Sequence, residues 1–197
     1  MHKYFQSWRD AGFFLRIWQA GLAEYDGMEG IASEWQSIDG AMGKTPLGLE
    51  CVGPNPTGRE KKGRKRGLLV DARGVPLSIV AGGANTHDVK LLDHALDRIV
   101  AERPKPTEEN PQHLCAAAGY VGKDAHDAVT SRGYQPNIRP RKQEAEEKKQ
   151  LPGYKARRRV VERSHSWCNG YRKIPASFEK TEASYMALLQ LAAALNC

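Results

Sequence analysis

The stretches GLLVD (Gly67–Asp71) and VPLSIVA (Val75–Ala81) decide the fold. They are apolar runs joined by Ala72-Arg73-Gly74, which is a pattern typical of a β-hairpin. A helix is predicted next, because Asn85–Asp88 offers N-cap side chains and apolar residues then recur at helical spacing as far as Val100. We therefore expect two antiparallel strands with a helix packed on them.

Upstream of the hairpin, Glu34–Met42 (EWQSIDGAM) alternates in the manner of a strand. Tyr4–Tyr25 has apolar residues at helical spacing and predicts one or two helices broken around Gly12. Gly43–Gly67 is rich in glycine and proline, so it predicts a long loop.

Downstream, strands and helices alternate. After a proline-rich linker the predicted elements are a strand at His113–Ala117, a helix at Lys123–Arg132, a strand at Gln135–Arg139, a charged mobile segment at Pro140–Gly153, a helix at Tyr154–Lys173 ended by Pro175, and a helix at Glu179–Leu195. Three early strands followed by β/α alternation predict an α/β fold with a mixed central sheet flanked by helices. An RNase H-like fold requires the same order.

Composition excludes several classes of protein. The chain has 197 residues, of which 40% are apolar, so it suits one globular domain with a buried core. No apolar run approaches the length of a membrane span, and the N-terminus has no signal-peptide core. The four cysteines lack metal-binding spacing. We expect reduced thiols, a cytoplasmic location and no membrane partner.

Positive charge is concentrated in two segments. The chain carries +7 in total, while Thr57–Arg66 carries +5 and Arg139–Lys173 carries +8, which leaves −6 for the remainder. Such segments favour contact with a phosphate backbone, although solvated loops are the alternative. The candidate DNA-binding residues are Arg59, Lys61, Lys62, Arg64, Lys65, Arg66, Arg157, Arg158 and Arg163.

Two acidic residues are candidates for metal-assisted phosphodiester cleavage, which needs carboxylates converging from different elements. Asp39 ends the first predicted strand, and Glu162 lies within the arginine-rich helix. Structural alternatives stay open for both, since Asp39 could cap the loop and Glu162 could pair with Arg158 four residues earlier.

Several separated motifs carry a resemblance to a known family. In order they are Ile38-Asp39-Gly40-Ala41, Gly53–Thr57, Lys61-Lys62-Gly63, Leu68–Asp71, Gly83-Ala84-Asn85 with His87-Asp88, His113-Leu114-Cys115, Gly119-Tyr120 and Val160–Trp167. Together they resemble a bacterial insertion-sequence transposase of the DDE class, in the branch named for insertion sequence five. The match covers nearly the whole chain.

The resemblance implies an RNase H-like catalytic domain over residues 34–197 that cuts element ends and joins them to target DNA with Mg²⁺ or Mn²⁺. It implies metal-binding roles for Asp39 and Glu162, and double-stranded DNA as the partner, with self-association left open. The family's middle acid falls at Ala117, which has no oxygen ligand, so cleavage by this copy is expected to be impaired.

Further departures from the family are Gly170, Pro175 and Arg159. Residues 1–33 are expected to be a remnant of the family's helical DNA-binding region, as in a truncated copy or the second frame of a two-frame element. The alternative functions are a non-catalytic DNA-binding remnant and a product without a selected role. Among lesser signals, the pair His87-Asp88 could be catalytic or a helix cap, and His165 could position a phosphate or make a structural hydrogen bond.

Overall fold

A computed structural model of the chain describes residues 2–140 and 157–197. Within these residues the strands are β1 Trp35–Lys44, β2 Gly53–Pro54, β3 Lys62–Val70, β4 Pro76–Gly83, β5 Gln112–Ala116 and β6 Tyr134–Ile138. The helices are α1 His2–Asp10, α2 Phe13–Glu29, α3 Asp88–Asp97, α4 Lys123–Thr130, α5 Arg159–Asn169 and α6 Glu182–Ala194, and a 3₁₀ turn covers Ala118–Tyr120. None of the helices described combines the length and apolarity needed to cross a bilayer.

The strands form one mixed sheet. β3 pairs antiparallel with β1 on one side and with β4 and the short β2 on the other. β5 pairs parallel with β1, and β6 pairs parallel with β5. The order is therefore β4–β3–β1–β5–β6, with three antiparallel strands followed by two parallel ones. This is the RNase H-like arrangement, and it confirms the predicted fold class.

The hairpin between β3 and β4 is closed by a buried carboxylate. Asp71 Oδ1 accepts hydrogen bonds from the backbone N–H groups of Arg73, Gly74 and Val75, each at 2.9 Å. Its Oδ2 accepts from the Tyr25 hydroxyl at 2.8 Å. Gly74 has φ +98°, a left-handed conformation that glycine adopts without steric cost. The Asp71 carboxylate thus accepts the hydrogen bonds of the backbone N–H groups in the turn, and the predicted hairpin is confirmed.

The alternation of β3 separates its basic side chains between the two faces of the sheet. Lys65 reaches α3, where its Nζ lies 3.0 Å from Asp88 Oδ1. Arg66 points the other way and contacts α5 through His165. Helix α3 therefore covers one face of the sheet, and α5 covers the opposite face at the same end.

The N-terminal helices pack on this core. Gly12 has φ +69° and separates α1 from α2, as the sequence predicts. Trp18 is buried and its Nε1 donates to the Pro76 carbonyl at 3.1 Å, which ties α2 to the first residue of β4. The proposed division of the chain at residue 33 remains a prediction.

Several predicted elements differ from the structure by a few residues at their ends, among them the long loop and the arginine-rich helix. The long loop predicted at Gly43–Gly67 is shorter, because β1 continues to Lys44 and β3 begins at Lys62. The arginine-rich helix ends at Asn169 rather than at Pro175. The chain leaves the helix early because it crosses the end of β1, where Lys44 N donates to the Pro175 carbonyl at 2.9 Å. The predicted segment Pro140–Gly153, apart from Pro140, and the first residues of the predicted helix lie outside the described residues.

Candidate active site

The first predicted acid and the position of the missing one lie side by side, where the parallel pairing of β1 with β5 ends. Ala117 directly follows β5, but Asp39 lies in the middle of β1, which continues to Lys44, so the prediction that Asp39 ends its strand is wrong. In the parallel register of β1 and β5, Ile38 is opposite Ala116, so Asp39 and Ala117 directly follow the last paired residues. Ala117 has an extended backbone and is the N-cap residue of the 3₁₀ turn that follows it. Because carboxyl ends of adjacent parallel strands share one edge of a sheet, this edge is where a ligand site is expected in an α/β fold.

Glu162 reaches this edge from α5. Arg158, Glu162, His165 and Asn169 are spaced four, three and four residues apart, so they form one stripe of the helix. His165 lies 3.2 Å from the Asp39 carbonyl oxygen through its Nε2, which places the stripe against β1. Glu162 is one turn before His165 and its side chain is 44% exposed. The structure therefore brings Asp39 and Glu162 to one edge of the sheet.

A hydrogen-bonded chain fixes the protonation of His165. Arg66 Nε donates to His165 Nδ1 at 3.3 Å, since a guanidinium has no acceptor atom. The proton of the neutral ring must then sit on Nε2, which donates to the Asp39 carbonyl. Burial, followed by the charge of Arg66, lowers the pKa of His165 to about 3. His165 is thus a neutral link between β3, α5 and β1, which supports the structural alternative considered from sequence.

The carboxyl group of Asp39 is in an environment that disfavours its charge. Burial is the largest cause and raises its pKa above the ordinary value. The hydrogen bond from Gly40 N, at 2.8 Å, and the charge of Arg158 oppose this effect, while the charges of Glu162 and Asp88 add to it. Glu162 and Asp88 are therefore close enough for their charges to act on the Asp39 carboxyl group.

Asp88 is the acid that sequence reasoning assigned to other motifs. A Cβ at Gly40 would lie 2.9 Å from Asp88 Oδ1, and one at Gly119 would lie 2.7 Å from Asp88 Oδ2. Gly40 follows Asp39 and Gly119 is two residues after Ala117, so the Asp88 carboxylate lies close to both positions, on the face of the sheet that α3 covers. No local pattern in the sequence indicates that Lys65 meets Asp88, because the part of β3 that carries Lys65 is predicted as a loop.

His87 is a helix cap, as predicted. Its Nδ1 accepts from the backbone N–H of Val89 at 3.4 Å, at the start of α3. The alternative of a catalytic His87-Asp88 pair has no support here, because Asp88 pairs with Lys65 instead.

The first basic segment is divided by burial. Arg59, Lys61 and Lys62 are exposed, and Lys65 is half-buried. Arg64 and Arg66 are each 1% exposed. Arg64 donates to the carbonyls of Glu50, Glu179 and Lys180 at 2.9–3.2 Å, so segments outside the sheet supply the acceptors for its buried guanidinium. Arg64 and Arg66 are therefore corrected from candidate phosphate contacts to interior residues.

The exposed part of this segment includes a strained turn. Lys61 N donates to the Gly58 carbonyl at 3.2 Å, and the two residues between them, Arg59 and Glu60, have φ +54° and +57°. Consecutive left-handed residues form a type I′ turn, in which glycine or asparagine is preferred. The turn holds Arg59 outward next to Lys61 and Lys62.

The arginines of the second basic segment contact aromatic rings and Glu162. The Arg157 guanidinium lies 4.0 Å from the ring centroid of Trp35, and Trp35 stacks on His113 at 4.1 Å. Arg158 Nη1 lies 2.5 Å from Glu162 Oε1, so the predicted alternative of this ion pair is present. Arg163 lies over the Trp167 ring and donates to the Arg73 carbonyl at 2.6 Å. Arg157 and Arg163 remain exposed despite these contacts.

The donor set can be compared with the needs of a divalent metal. Mg²⁺ takes oxygen ligands and is often held by one or two carboxylates together with substrate phosphates. Asp39 and Glu162 fit one ion held in this way. They do not fit a two-ion site, because Ala117 supplies no oxygen and, among the described residues, no three His, Cys, Asp or Glu side chains are grouped to hold a metal.

Comparison with known proteins places these observations in a family. The family model described as "Transposase DDE domain" matches residues 52–197. A Burkholderia cepacia protein named "Putative transposase for insertion sequence element IS402" is 33% identical over 152 residues, which is 76% of this chain and 70% of that protein.

Among solved structures, the Mos1 mariner paired-end complex with Mn matches with a TM-score of 0.42 and 10% identity. The alignment covers 91% of this chain, which spans 58% of that one. The catalytic domain of Mos1 mariner transposase matches with a TM-score of 0.36 and 10% identity, over 92% of this chain and 87% of that one. By its family-model match and its sequence relative, the chain belongs to the DDE transposase family of bacterial insertion sequences.

Proposed function

We propose that this chain is a DNA transposase catalytic domain whose acid pair is Asp39 and Glu162, and that this copy cleaves DNA poorly because Ala117 replaces the middle acid. The observation that carries the proposal is the edge where β1, β5 and α5 meet, with two carboxylates and one methyl group. Family membership supports the reaction class, and the absent carboxylate supports the impairment. The branch named for insertion sequence five remains a prediction.

Asp39 and Glu162 would hold the metal. When bound, a divalent cation supplies electrostatic stabilisation of the charge that develops on a phosphodiester under attack. The chain's own contribution is positional: neutral His165 ties α5 to β1 and keeps Glu162 at the edge that carries Asp39. Loss of this support would lower the affinity for the metal, because the residues behind a metal ligand fix its orientation.

Double-stranded DNA is the proposed partner. Arg59, Lys61 and Lys62 form one exposed basic group, and Arg157 and Arg163 form another. Contacts of this kind position a duplex without reading its sequence. The location of the protein in the bacterial cytoplasm and its self-association are also proposals.

A nicking assay on DNA that carries element ends tests the proposal. With Mg²⁺ or Mn²⁺, Ala117→Asp is expected to nick faster than the natural chain by more than about 100-fold, since loss of even a supporting residue costs about 10- to 100-fold. Ala118→Asp is the matched control, because it adds the same charge one residue further along. Equal rates for the natural chain and Ala117→Asp would contradict the assignment of Ala117.

A DNA-binding remnant is the second candidate function. It is favoured by the lack of a three-ligand metal group among the described residues. If Ala117→Asp and the natural chain bind DNA equally and neither cuts it, this second function becomes the better interpretation.

A further inference from the structure

Arg158 lies in the acid site itself. It occupies the stripe of α5 that also carries Glu162 and His165, and this stripe is held against β1 by the hydrogen bond from His165 to the Asp39 carbonyl. Its side chain is 29% exposed, so most of it is covered by the protein. Arg158 is therefore less exposed to solvent than the arginines around it.

The contact between Arg158 and Glu162 is short and direct. Arg158 Nη1 donates a charge-assisted hydrogen bond to Glu162 Oε1. The charge of Arg158 also favours the ionised form of Asp39, against the effect of Glu162. One guanidinium therefore acts on both carboxylates that are proposed to hold the metal.

Two carboxylates at one edge repel each other unless a cation lies near them. In a complete site that cation is the metal. We propose that Arg158 is the resident cation of the Asp39–Glu162 pair in this chain, and that its guanidinium competes with a divalent ion for Glu162. Arg158 is thereby reassigned from a DNA phosphate contact to the acid site.

Ala117 affects the same balance of charge. A third carboxylate would give the site more negative charge than one guanidinium can offset, and would favour a divalent ion over Arg158. With Ala117 the two carboxylates and Arg158 leave a single net negative charge, whereas a third carboxylate would leave two. The two features of this chain, a methyl group at position 117 and an ion pair at Glu162, therefore act in the same direction, against metal binding.

Mn²⁺ binding without DNA tests the inference. The signal of free Mn²⁺ in electron paramagnetic resonance is titrated with the full chain and with Arg158→Met. The variant is expected to bind Mn²⁺ about tenfold more tightly, because it lacks a positive charge that repels the ion and competes for Glu162. Tenfold corresponds to about 1.4 kcal/mol of binding free energy. Arg159→Met is the matched control, because it removes the same charge from an exposed neighbouring position, and we expect less than about a twofold change.

The double variant Arg158→Met, Glu162→Gln locates the gain. If Glu162 is the shared ligand, the double variant loses the increased affinity. Equal affinities for Arg158→Met and the natural chain overturn the inference, as does a gain that Arg159→Met reproduces or that survives in the double variant. The inference rests on the proposed acid pair. The titration contains no DNA, so its outcome does not depend on whether the chain binds or cuts DNA. Thermal unfolding of each variant shows that it is folded.

Discussion

The two basic segments look alike in the sequence and differ in the structure. Thr57–Arg66 lies mostly in a turn and a strand, whose alternation sends successive side chains to opposite faces. Arg157–Arg163 lies at the start of a helix, where every third or fourth residue shares a face. In the strand the sheet buries two arginines almost completely. At the start of the helix Arg158 is half-buried and the other arginines are exposed. Charge density by itself therefore does not identify a DNA surface.

Replacement of a buried arginine of the strand should have the largest effect, and it tests whether the buried and the exposed basic residues differ in their role. Arg64→Met should lower the free energy of unfolding by about 3 kcal/mol, because the partly buried carbonyls of Glu50, Glu179 and Lys180 all lose their charged donor. Urea denaturation measures the change. Lys62→Met is the control and should change stability by no more than about 0.5 kcal/mol, since Lys62 is exposed. Equal small losses would mean that burial of Arg64 is unimportant.

The link between the strand and the helix should appear in the pH dependence of stability. The folded-state pKa of His165, about 3, is below its ordinary value of 6.5, so the unfolded chain takes up a proton first as pH falls. Stability should fall by about 1.4 kcal/mol per pH unit below about pH 6.5. Denaturation between pH 7 and pH 5 measures this slope. The raised pKa of Asp39 acts in the opposite direction, because the folded state then takes up that proton first as pH falls.

His165→Gln provides the comparison for that slope. Glutamine keeps a donor for the Asp39 carbonyl and does not titrate, so the variant should lose most of the pH dependence. If the slope is the same with and without His165, other groups cause it.

A change in the turn of the first segment should stabilise the protein. Glu60→Gly relieves a left-handed conformation that an L side chain adopts at a cost, and the gain should be about 1 kcal/mol. Glu60→Ala removes the same negative charge but retains the unfavourable backbone, so it should give no such gain. Thermal or urea unfolding separates the two, and equal stabilities would show that the turn is not strained.

The smallest expected effect concerns DNA binding by the exposed lysines. Lys61→Ala with Lys62→Ala should reduce the dependence of log affinity on log salt by about 0.9 for each phosphate that the protein no longer neutralises. Lys3→Ala with Arg16→Ala, on α1 and α2, is a control of equal charge. Fluorescence titration at several salt concentrations measures the slopes, and an unchanged slope in the first variant would mean that this segment is a solvated loop.

Most elements could be predicted from local pattern. The hairpin at Ala72–Gly74, the break at Gly12 and the cap of α3 depend on residues close together in sequence, so turn and capping chemistry reveals them. The start of β3 could not be predicted in this way, because Lys62–Arg66 lacks the apolar alternation of an ordinary strand. Only the partners across the fold make that strand stable, since Arg64 and Arg66 find acceptors on segments more than a hundred residues later in the chain.

The candidate site shows the same division. The sequence by itself determined the order of the elements, because that order is a property of residue type and local periodicity. It also offered Asp39 and Glu162 as candidate acids, while the resemblance to the family singled out the methyl group at Ala117. The tertiary structure decided which charges meet: Arg158 with Glu162, Lys65 with Asp88, and Arg66 with His165. All but the first of these contacts join residues distant in the chain, and the first faces the acid site only because His165 holds α5 on β1. Packing fixes such pairs, since a side chain's electrostatic partners depend on which faces the sheet and the helices bury together.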